Sequence, residues 1–379
     1  MPGVALTLIV GLALLGAAGC SDGSEPPAAL PTASVTDRTP PSPSGSPSSA
    51  ASPDPGTQHQ LSVGRDLVSG LAAPWGLAVL PDGDALVSER DSGRILRVSP
   101  GGAATVLGTV PDVQHGGEGG LLGLAVDPAS PDRVYAYLTS TLGDNRIVSL
   151  TYGPTSLGQP KVIFTGIPSG TIHNGGRMVF GPDGNLWVGT GEAGLRDPAQ
   201  NKDSLGGKIL RISPAGRVPD GNPFPGSPVW SLGHRNVQGL AFDSTGQLWA
   251  TEFGQNTWDE LNEIQEGGNY GWPIVEGKTG GKAFVDPLVV WRPEEASPSG
   301  LAIVDDVAYV AALRGARLWQ IPLVGDQRGA ATDAFTNEFG RLRTVVATSE
   351  GDLWLTTSNT DGRGSPAPTD DRILRIALT

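Results

Sequence analysis

The chain has 379 residues with a formal net charge of −13, one cysteine, 55 glycines and 33 prolines. The single cysteine excludes an internal disulfide, and the acidic balance argues against a nucleic-acid partner. So much glycine and proline is typical of an all-β protein made of short strands and many turns.

The first predicted element is an apolar segment over residues 1–19, which ends in small residues before Cys20. Such a segment predicts an export signal rather than a membrane span. The small residues just before Cys20 make it similar to a bacterial lipoprotein signal, whose cleavage leaves the cysteine as a lipidated N-terminus. We therefore expect an anchor through Cys20 at the outer face of the bacterial cell membrane. The alternative is a general secretory peptide with an incidental cysteine.

Residues 20–60 consist largely of proline, serine, alanine and threonine. This composition offers too little apolar surface to offset the entropy of ordering, so it predicts a disordered tether. Residues 61–379 are then expected to form one folded domain.

That domain contains six copies of a similar sequence pattern. Each has an apolar stretch, a turn, and a strand rich in tryptophan or valine in which apolar residues alternate with others. The copies begin at Gly76, Gly123, Arg177, Gly239, Gly300 and Arg343. Each copy predicts a hairpin, and several continue into a third strand such as KILRISP. A repeat of this kind is typical of a β-propeller, here all-β with six four-stranded antiparallel blades. We expect the segment from Leu61 to close the ring by pairing with the last blade, which removes an exposed sheet edge.

Extra length in the third and fourth repeats carries the densest polar motifs, and in propellers extra length goes into face loops. His173 lies in one of these, IHNGGR, whose glycines allow close approach of a ligand. His173 is therefore the first candidate for a general base. The alternative is a histidine that only caps a turn.

Four arginines form the second candidate group. Arg341 and Arg343 are two apart at the start of a strand, so their side chains share one face. Arg235 and Arg314 lie in loops of other blades. If they converge, they would bind a ligand with several carboxylates, because guanidinium pairs with carboxylate in a bidentate manner. Ordinary surface arginines are the alternative.

Two acids lie among glycines, Glu118 and Glu192, and either could be a hydrogen-bond partner, a metal ligand or a turn-stabilising carboxylate. The backbone carbonyls of Gly254 and Gln255 are suitable ligands for a hard cation such as calcium. The aromatic side chains of NYGWP are expected to pack beneath the face rather than contact substrate.

The motifs GGEGGLLG, IHNGGR, GHRNVQGLAF followed by EFG, GGNYGWP and RLRTVV occur in this order. Through them the chain resembles the quinoprotein glucose and aldose sugar dehydrogenases, which use pyrroloquinoline quinone (PQQ), over residues 73–376. The resemblance implies that His173 is the catalytic base, assisted by Arg235, and that the Gly254 and Gln255 carbonyls hold calcium. It implies a cofactor-binding set of Glu118, His173, Arg235, Asn236, Arg314, Arg341 and Arg343. Glu118 stands where the glucose enzyme has glutamine.

The implied reaction is oxidation of an aldose at C1 to the lactone. In it His173 takes the hydroxyl proton, C5 of PQQ receives the hydride, and calcium with Arg235 stabilises charge on the quinone oxygen. The long loops of the glucose enzyme are missing between Val275 and Ile303, which brings the chain nearer the broad-specificity aldose branch and predicts a monomer. Two other classes remain open: a propeller that binds glycan or peptide without a cofactor, and a calcium-dependent lactonase. The sugar and the electron acceptor are left open.

Overall fold

The computed structural model describes residues 54–281 and 283–379. Within these ranges the chain forms twenty-four strands in six four-stranded antiparallel sheets and one 3-10 helix, Asp197–Ala199. The prediction of a six-bladed propeller is therefore confirmed. No helix in these ranges has the length and apolar character needed to cross a membrane. The predicted signal, Cys20 and residues 20–53 of the predicted tether lie outside the described residues.

Each blade begins with the strand nearest the central axis and ends with its outer strand. The first two blades are β2 (Pro74–Val79), β3 (Ala85–Glu89), β4 (Arg94–Val98) and β5 (Ala104–Thr109), then β6 (Leu121–Asp127), β7 (Ser130–Thr139), β8 (Asn145–Thr151) and β9 (Lys161–Ile167). The third and fourth are β10 (Met178–Phe180), β11 (Leu186–Gly189), β12 (Lys208–Ile212) and β13 (Val229–Leu232), then β14 (Val237–Phe242), β15 (Leu248–Glu252), β16 (Asp259–Glu263) and β17 (Val289–Trp291). The last two are β18 (Pro298–Val304), β19 (Val307–Ala312), β20 (Arg317–Pro322) and β21 (Thr332–Ala334), then β22 (Leu342–Ala347), β23 (Leu353–Thr357) and β24 (Ile373–Leu378) with β1 (Leu61–Val68).

The ring closes between the two ends of the domain, as predicted. Strand β1 pairs antiparallel with β24, with Leu61 opposite Leu378 and Val68 opposite Ile373. The last blade is thus completed by the first strand of the chain. This pairing removes the sheet edge that an open ring would leave.

Residues just before β1 also belong to the folded domain. The Gly56 amide donates to the Asp305 carbonyl at 2.7 Å, and His59 Nδ1 lies 2.6 Å from the Tyr309 hydroxyl. Gln58 Nε2 donates to the Ala330 carbonyl at 3.0 Å. Residues 54–60, which composition assigned to the tether, therefore contact the fifth blade, and the domain begins before Leu61.

The repeated glycine near the start of the inner strands has a packing cause. A Cβ added to Gly76 would lie 2.6 Å from the Leu122 carbonyl oxygen, and one added to Gly300 would lie 2.7 Å from the Thr344 Cα. At these points the inner strand of one blade abuts the inner strand of the next. Glycine is therefore required where adjacent backbones approach closely around the axis.

The core lies between neighbouring sheets rather than at one centre. One cluster joins Leu86 and Ile95 of the first blade to Leu124 and Val134 of the second. This packing of apolar faces repeats around the ring, so the six blades form one structural unit. The blade connections and the loops after each second strand meet on one face, where they carry the polar motifs.

Candidate active site

A cavity of about 250 Å³ opens on this face, at the centre of the ring. Its polar and aromatic lining includes Arg90, Arg314, Arg341, Arg343, Arg363, Glu118, Asp361 and Trp75. Of the four arginines predicted to converge, Arg314, Arg341 and Arg343 line this cavity together with Glu118, whereas Arg235 does not. Arg90, Arg363, Asp361 and Trp75 were missed. Two of them could have been predicted by comparing the repeats. Arg90 and Asp361 lie in the loop after the second strand of their blades, as Arg314 does in its own blade.

The two arginines of the last blade share one carboxylate. Arg341 Nη2 donates to Asp361 Oδ2 at 3.0 Å, and Arg343 Nη2 approaches the same oxygen at 3.3 Å. Burial lowers the pKa of Arg343 to about 10. Burial would raise the pKa of Asp361, but Arg343 and Arg341 hold it below its ordinary value. One carboxylate between two guanidinium groups leaves positive charge available for an anionic ligand.

His173 lies in the connection between β9 and β10 and pairs with Glu192 from the loop after β11. Its Nδ1 contacts Glu192 Oε1, and the Glu192 side chain is only 1% exposed. Burial would raise the pKa of Glu192, but hydrogen bonds from His173 and the Arg196 backbone hold it below its ordinary value. His173 adopts φ 57°, a strained conformation for a non-glycine residue. A buried carboxylate on Nδ1 favours the tautomer in which Nε2 can accept a proton.

Glu118 joins this histidine to the central cavity. Its Oε2 accepts the His173 backbone N–H at 2.8 Å, while its Oε1 pairs with Arg363 at 3.0 Å. Among the roles left open for Glu118, the structure shows that of a hydrogen-bond partner. The carboxylate holds the histidine loop against the wall of the arginine-lined cavity.

Arg235 and Asn236 lie in the connection between β13 and β14, next to this pair. The Glu192 backbone N–H donates to the Arg235 carbonyl at 2.9 Å. Arg235 Nη1 donates to the Gly254 carbonyl at 2.5 Å, and the guanidinium lies 5.2 Å from the Trp272 ring centroid. Burial lowers the pKa of Arg235. Its Nε, and Nδ2 of Asn236, are buried without a hydrogen-bond partner among the described residues.

A layer of buried acids supports the Gly254 turn from below. Asp259 accepts the backbone N–H groups of Gly254 at 2.9 Å and Ser297 at 2.6 Å. Burial raises the pKa of Asp259 to about 6. Burial and the nearby Glu252 raise the pKa of Glu260. Asp259 thereby ties the fourth blade to the segment that leads into the fifth, and neither acid lines the arginine-lined cavity.

The remaining residues named from the sequence contact other protein side chains. Gln255 is exposed, and its side chain contacts Arg196. Tyr270 is buried and stacks on His234 at 4.5 Å, as expected for packing beneath the face. Trp272 is also buried, yet it contacts Arg235 and so supports the site directly.

The donor set fits an anionic cofactor with polar ring atoms. Guanidinium groups outnumber carboxylates in the cavity lining, and the two unsatisfied nitrogens of Arg235 and Asn236 require acceptors. Fewer observations support a calcium site than support the anionic cofactor. No cluster of three or more His, Cys, Asp or Glu suited to a metal occurs in the described residues, and the Gly254 carbonyl already accepts from Arg235. A cation bound there would lie close to that guanidinium, and the two positive charges would repel each other.

Comparison with known proteins adds independent findings. The family model described as glucose / sorbosone dehydrogenase matches residues 71–374. The PQQ-bound structure of an aldose sugar dehydrogenase from Streptomyces coelicolor is 52% identical, with a TM-score of 0.83, covering 86% of this chain and 100% of that one. Aldose sugar dehydrogenase YliI of Escherichia coli (strain K12) is 30% identical over 76% of this chain and 88% of its own. Quinoprotein glucose dehydrogenase B of Acinetobacter calcoaceticus is 35% identical over 56% and 52%, respectively. The resemblance predicted from the motifs is thereby confirmed.

Proposed function

The chain belongs to the glucose / sorbosone dehydrogenase family, and we propose that it oxidises aldose sugars at C1 to the lactone with PQQ and calcium. The observation that carries this proposal is the arginine-lined cavity next to the His173–Glu192 pair. A cavity rich in guanidinium groups selects a ligand with several carboxylates. The adjacent histidine supplies a base for the substrate hydroxyl.

His173 would take the proton of the C1 hydroxyl at Nε2. Glu192 holds Nδ1, so the second ring nitrogen faces away from the carboxylate and makes no hydrogen bond with the described residues. Glu192 also stabilises the imidazolium that forms when the proton arrives, since its own charge is maintained by hydrogen bonds. When bound, PQQ supplies the acceptor for the hydride of C1.

Arg341, Arg343 and Arg314 would hold the carboxylates of the cofactor. Glu118 would keep the loop that carries His173 next to the arginine-lined cavity. Arg235 and Asn236 would direct their unsatisfied N–H groups at the quinone oxygens, where negative charge develops. Calcium would be held by the Gly254 and Gln255 carbonyls and would supply positive charge beside the cofactor.

Reconstitution tests this proposal. The full chain is incubated with PQQ and calcium, and bound quinone is followed by its absorbance while aldoses reduce a dye. We expect saturable quinone binding and aldose-dependent dye reduction. Arg217→Ala, which removes one exposed guanidinium outside the cavity, serves as the matched control.

The same assay separates the other classes. A propeller that only binds glycan or peptide would bind sugar polymer without dye reduction at any PQQ concentration. A calcium-dependent lactonase would hydrolyse aldonolactones with calcium alone. Either result without quinone binding would overturn the proposal.

We also propose that the protein is a monomer held at the outer face of the cell membrane through a lipid on Cys20. The apolar segment over residues 1–19 and the small residues just before Cys20 support the anchor. The electron acceptor is then expected to be a partner that can reach the exposed face of the propeller.

A further inference from the structure

A second chamber lies on the axis, on the side of the ring away from the arginine-lined cavity. It is a channel of about 430 Å³ formed by the inner strands of all six blades. Its apolar wall includes Leu77, Val126, Phe180, Leu240, Ile303 and Val346. The two chambers share no lining residue. Trp75 lines the arginine-lined cavity, and Leu77 of the same strand, β2, lines the channel.

Arg177 is the only charged residue in the lining of this channel. It is 7% exposed, and its guanidinium lies 4.4 Å from the Trp75 ring centroid. Its Nε donates to the Gln238 carbonyl at 2.7 Å, and its Nη2 to the Thr344 hydroxyl at 3.0 Å. Nη1 has no hydrogen-bond partner within residues 54–281 and 283–379. These contacts fix the guanidinium plane and leave one edge free.

Within the described ranges, Arg177 also lacks the counter-charge that the buried Arg90 and Arg343 have. Arg343 approaches Asp361 at 3.3 Å, whereas Arg177 has no carboxylate within 4 Å. Burial lowers the pKa of Arg177 to about 9, and the nearby Arg343 acts in the same direction. A buried charge without a counter-ion is costly, and a bound anion would offset that cost.

The channel wall determines which anion is favoured. Apart from Arg177 its lining is apolar, so sugars and free phosphate would leave their polar groups without partners. A hydrocarbon chain can instead exchange water for the apolar wall. The wall runs along β10 from Arg177 to Phe180, about 10 Å at the rise of a strand. Roughly eight extended carbons span this length.

We propose that this channel binds a monocarboxylate with a medium-length hydrocarbon chain, its carboxylate on Nη1 of Arg177 and its chain directed to the opposite face. The site is distinct from the proposed cofactor cavity and does not depend on the proposed activity.

Titration calorimetry on the full chain loaded with PQQ and calcium tests this proposal. The cofactor is added so that it fills the arginine-lined cavity and carboxylate probes do not bind there. The probes are straight-chain carboxylates of four to ten carbons, each compared with the alcohol of equal length. Affinity is expected to rise about fourfold per methylene until the chain leaves the channel. The alcohols are expected to bind at least about tenfold more weakly, because they lack the charge-assisted pair.

Two variants locate the site. Arg177→Gln should abolish the difference between acid and alcohol, and Arg217→Gln is the matched surface control. Ala241→Trp narrows the channel at a half-buried lining position away from Arg177, and should weaken the long chains by about tenfold or more.

The proposal is overturned if affinity does not depend on chain length, or if acetate and chloride bind as well as the eight-carbon acid. It is also overturned if both variants bind like the control. Repeating the titration without PQQ shows whether the channel acts independently of the cofactor, so a failure of the proposed function is recognised separately.

Discussion

Replacing Glu192 by glutamine tests whether the His173–Glu192 pair is the proton-accepting unit. The two carboxylate oxygens of Glu192 have different donors, His173 Nδ1 on Oε1 and the Arg196 backbone N–H on Oε2. Glutamine offers one oxygen and one NH₂ group, so it can accept from only one of these donors. The side chain is 1% exposed, so water cannot replace the lost acceptor.

The expected loss follows from these contacts. A charge-assisted hydrogen bond contributes about 1.5–3 kcal/mol, and a neutral one roughly half of that, so the first contact loses about 1 kcal/mol. The donor left without an acceptor costs about 1–3 kcal/mol more. If the whole loss of about 2–4 kcal/mol is added to the activation free energy, the rate falls roughly 30- to 1000-fold. His173→Gln, which removes the base itself, is expected to slow the step roughly 100- to 10,000-fold.

Stopped-flow reduction of bound PQQ by excess aldose measures this step apart from electron transfer to the dye. Wild type, the two single variants and the double variant form a cycle, with exposed Glu338→Gln as the matched control. Because Glu192 acts through His173, the double variant should match His173→Gln within about threefold. PQQ affinity should change little in Glu192→Gln.

Two results would refute the reasoning. A wild-type rate in His173→Gln would mean that another group accepts the proton. Fully additive losses in the double variant would mean that Glu192 affects the rate by a route that does not pass through His173.

Three further predictions address the cofactor, the scaffold and the anchor. Arg341→Ala and Arg343→Ala should each weaken PQQ binding about ten- to a hundredfold, and lysine should restore it only in part; unchanged equilibrium binding in the double alanine variant would contradict this. Lys208 Nζ donates to three backbone carbonyls, and burial lowers its pKa to about 7, below the ordinary value of about 10.4. The unfolded chain therefore binds the extra proton between these values, and stability in denaturant titrations should rise by on the order of 3 kcal/mol from pH 7 to 10 relative to Lys208→Met; parallel curves would contradict it. Cys20→Ser should move the protein from the membrane fraction to the medium or leave it unprocessed, and an unchanged fraction would refute the anchor.

Most of the fold was predictable because its determinants are local and repeated. Period-two alternation and turn residues occur in all six copies, so the number of blades could be read from the chain. The closing strand at Leu61 followed from the need to cover a sheet edge. The start of the domain was placed too late, because the contacts of Gln58 and His59 with the fifth blade have no local signal.

For the site, the chain by itself determined which side chains share a strand face or a loop motif. Arg341 and Arg343 are an example, since a spacing of two places both on one face. Tertiary structure alone decided which loops of different blades meet. It brought Asp361 between these arginines, set Glu192 against His173, and placed Arg235 on the Gly254 carbonyl. It also left Arg177 without a counter-ion on the axis. Hydrogen-bond partners and counter-charges depend on distances between blades, and those distances are set by the packing of six sheets around one axis.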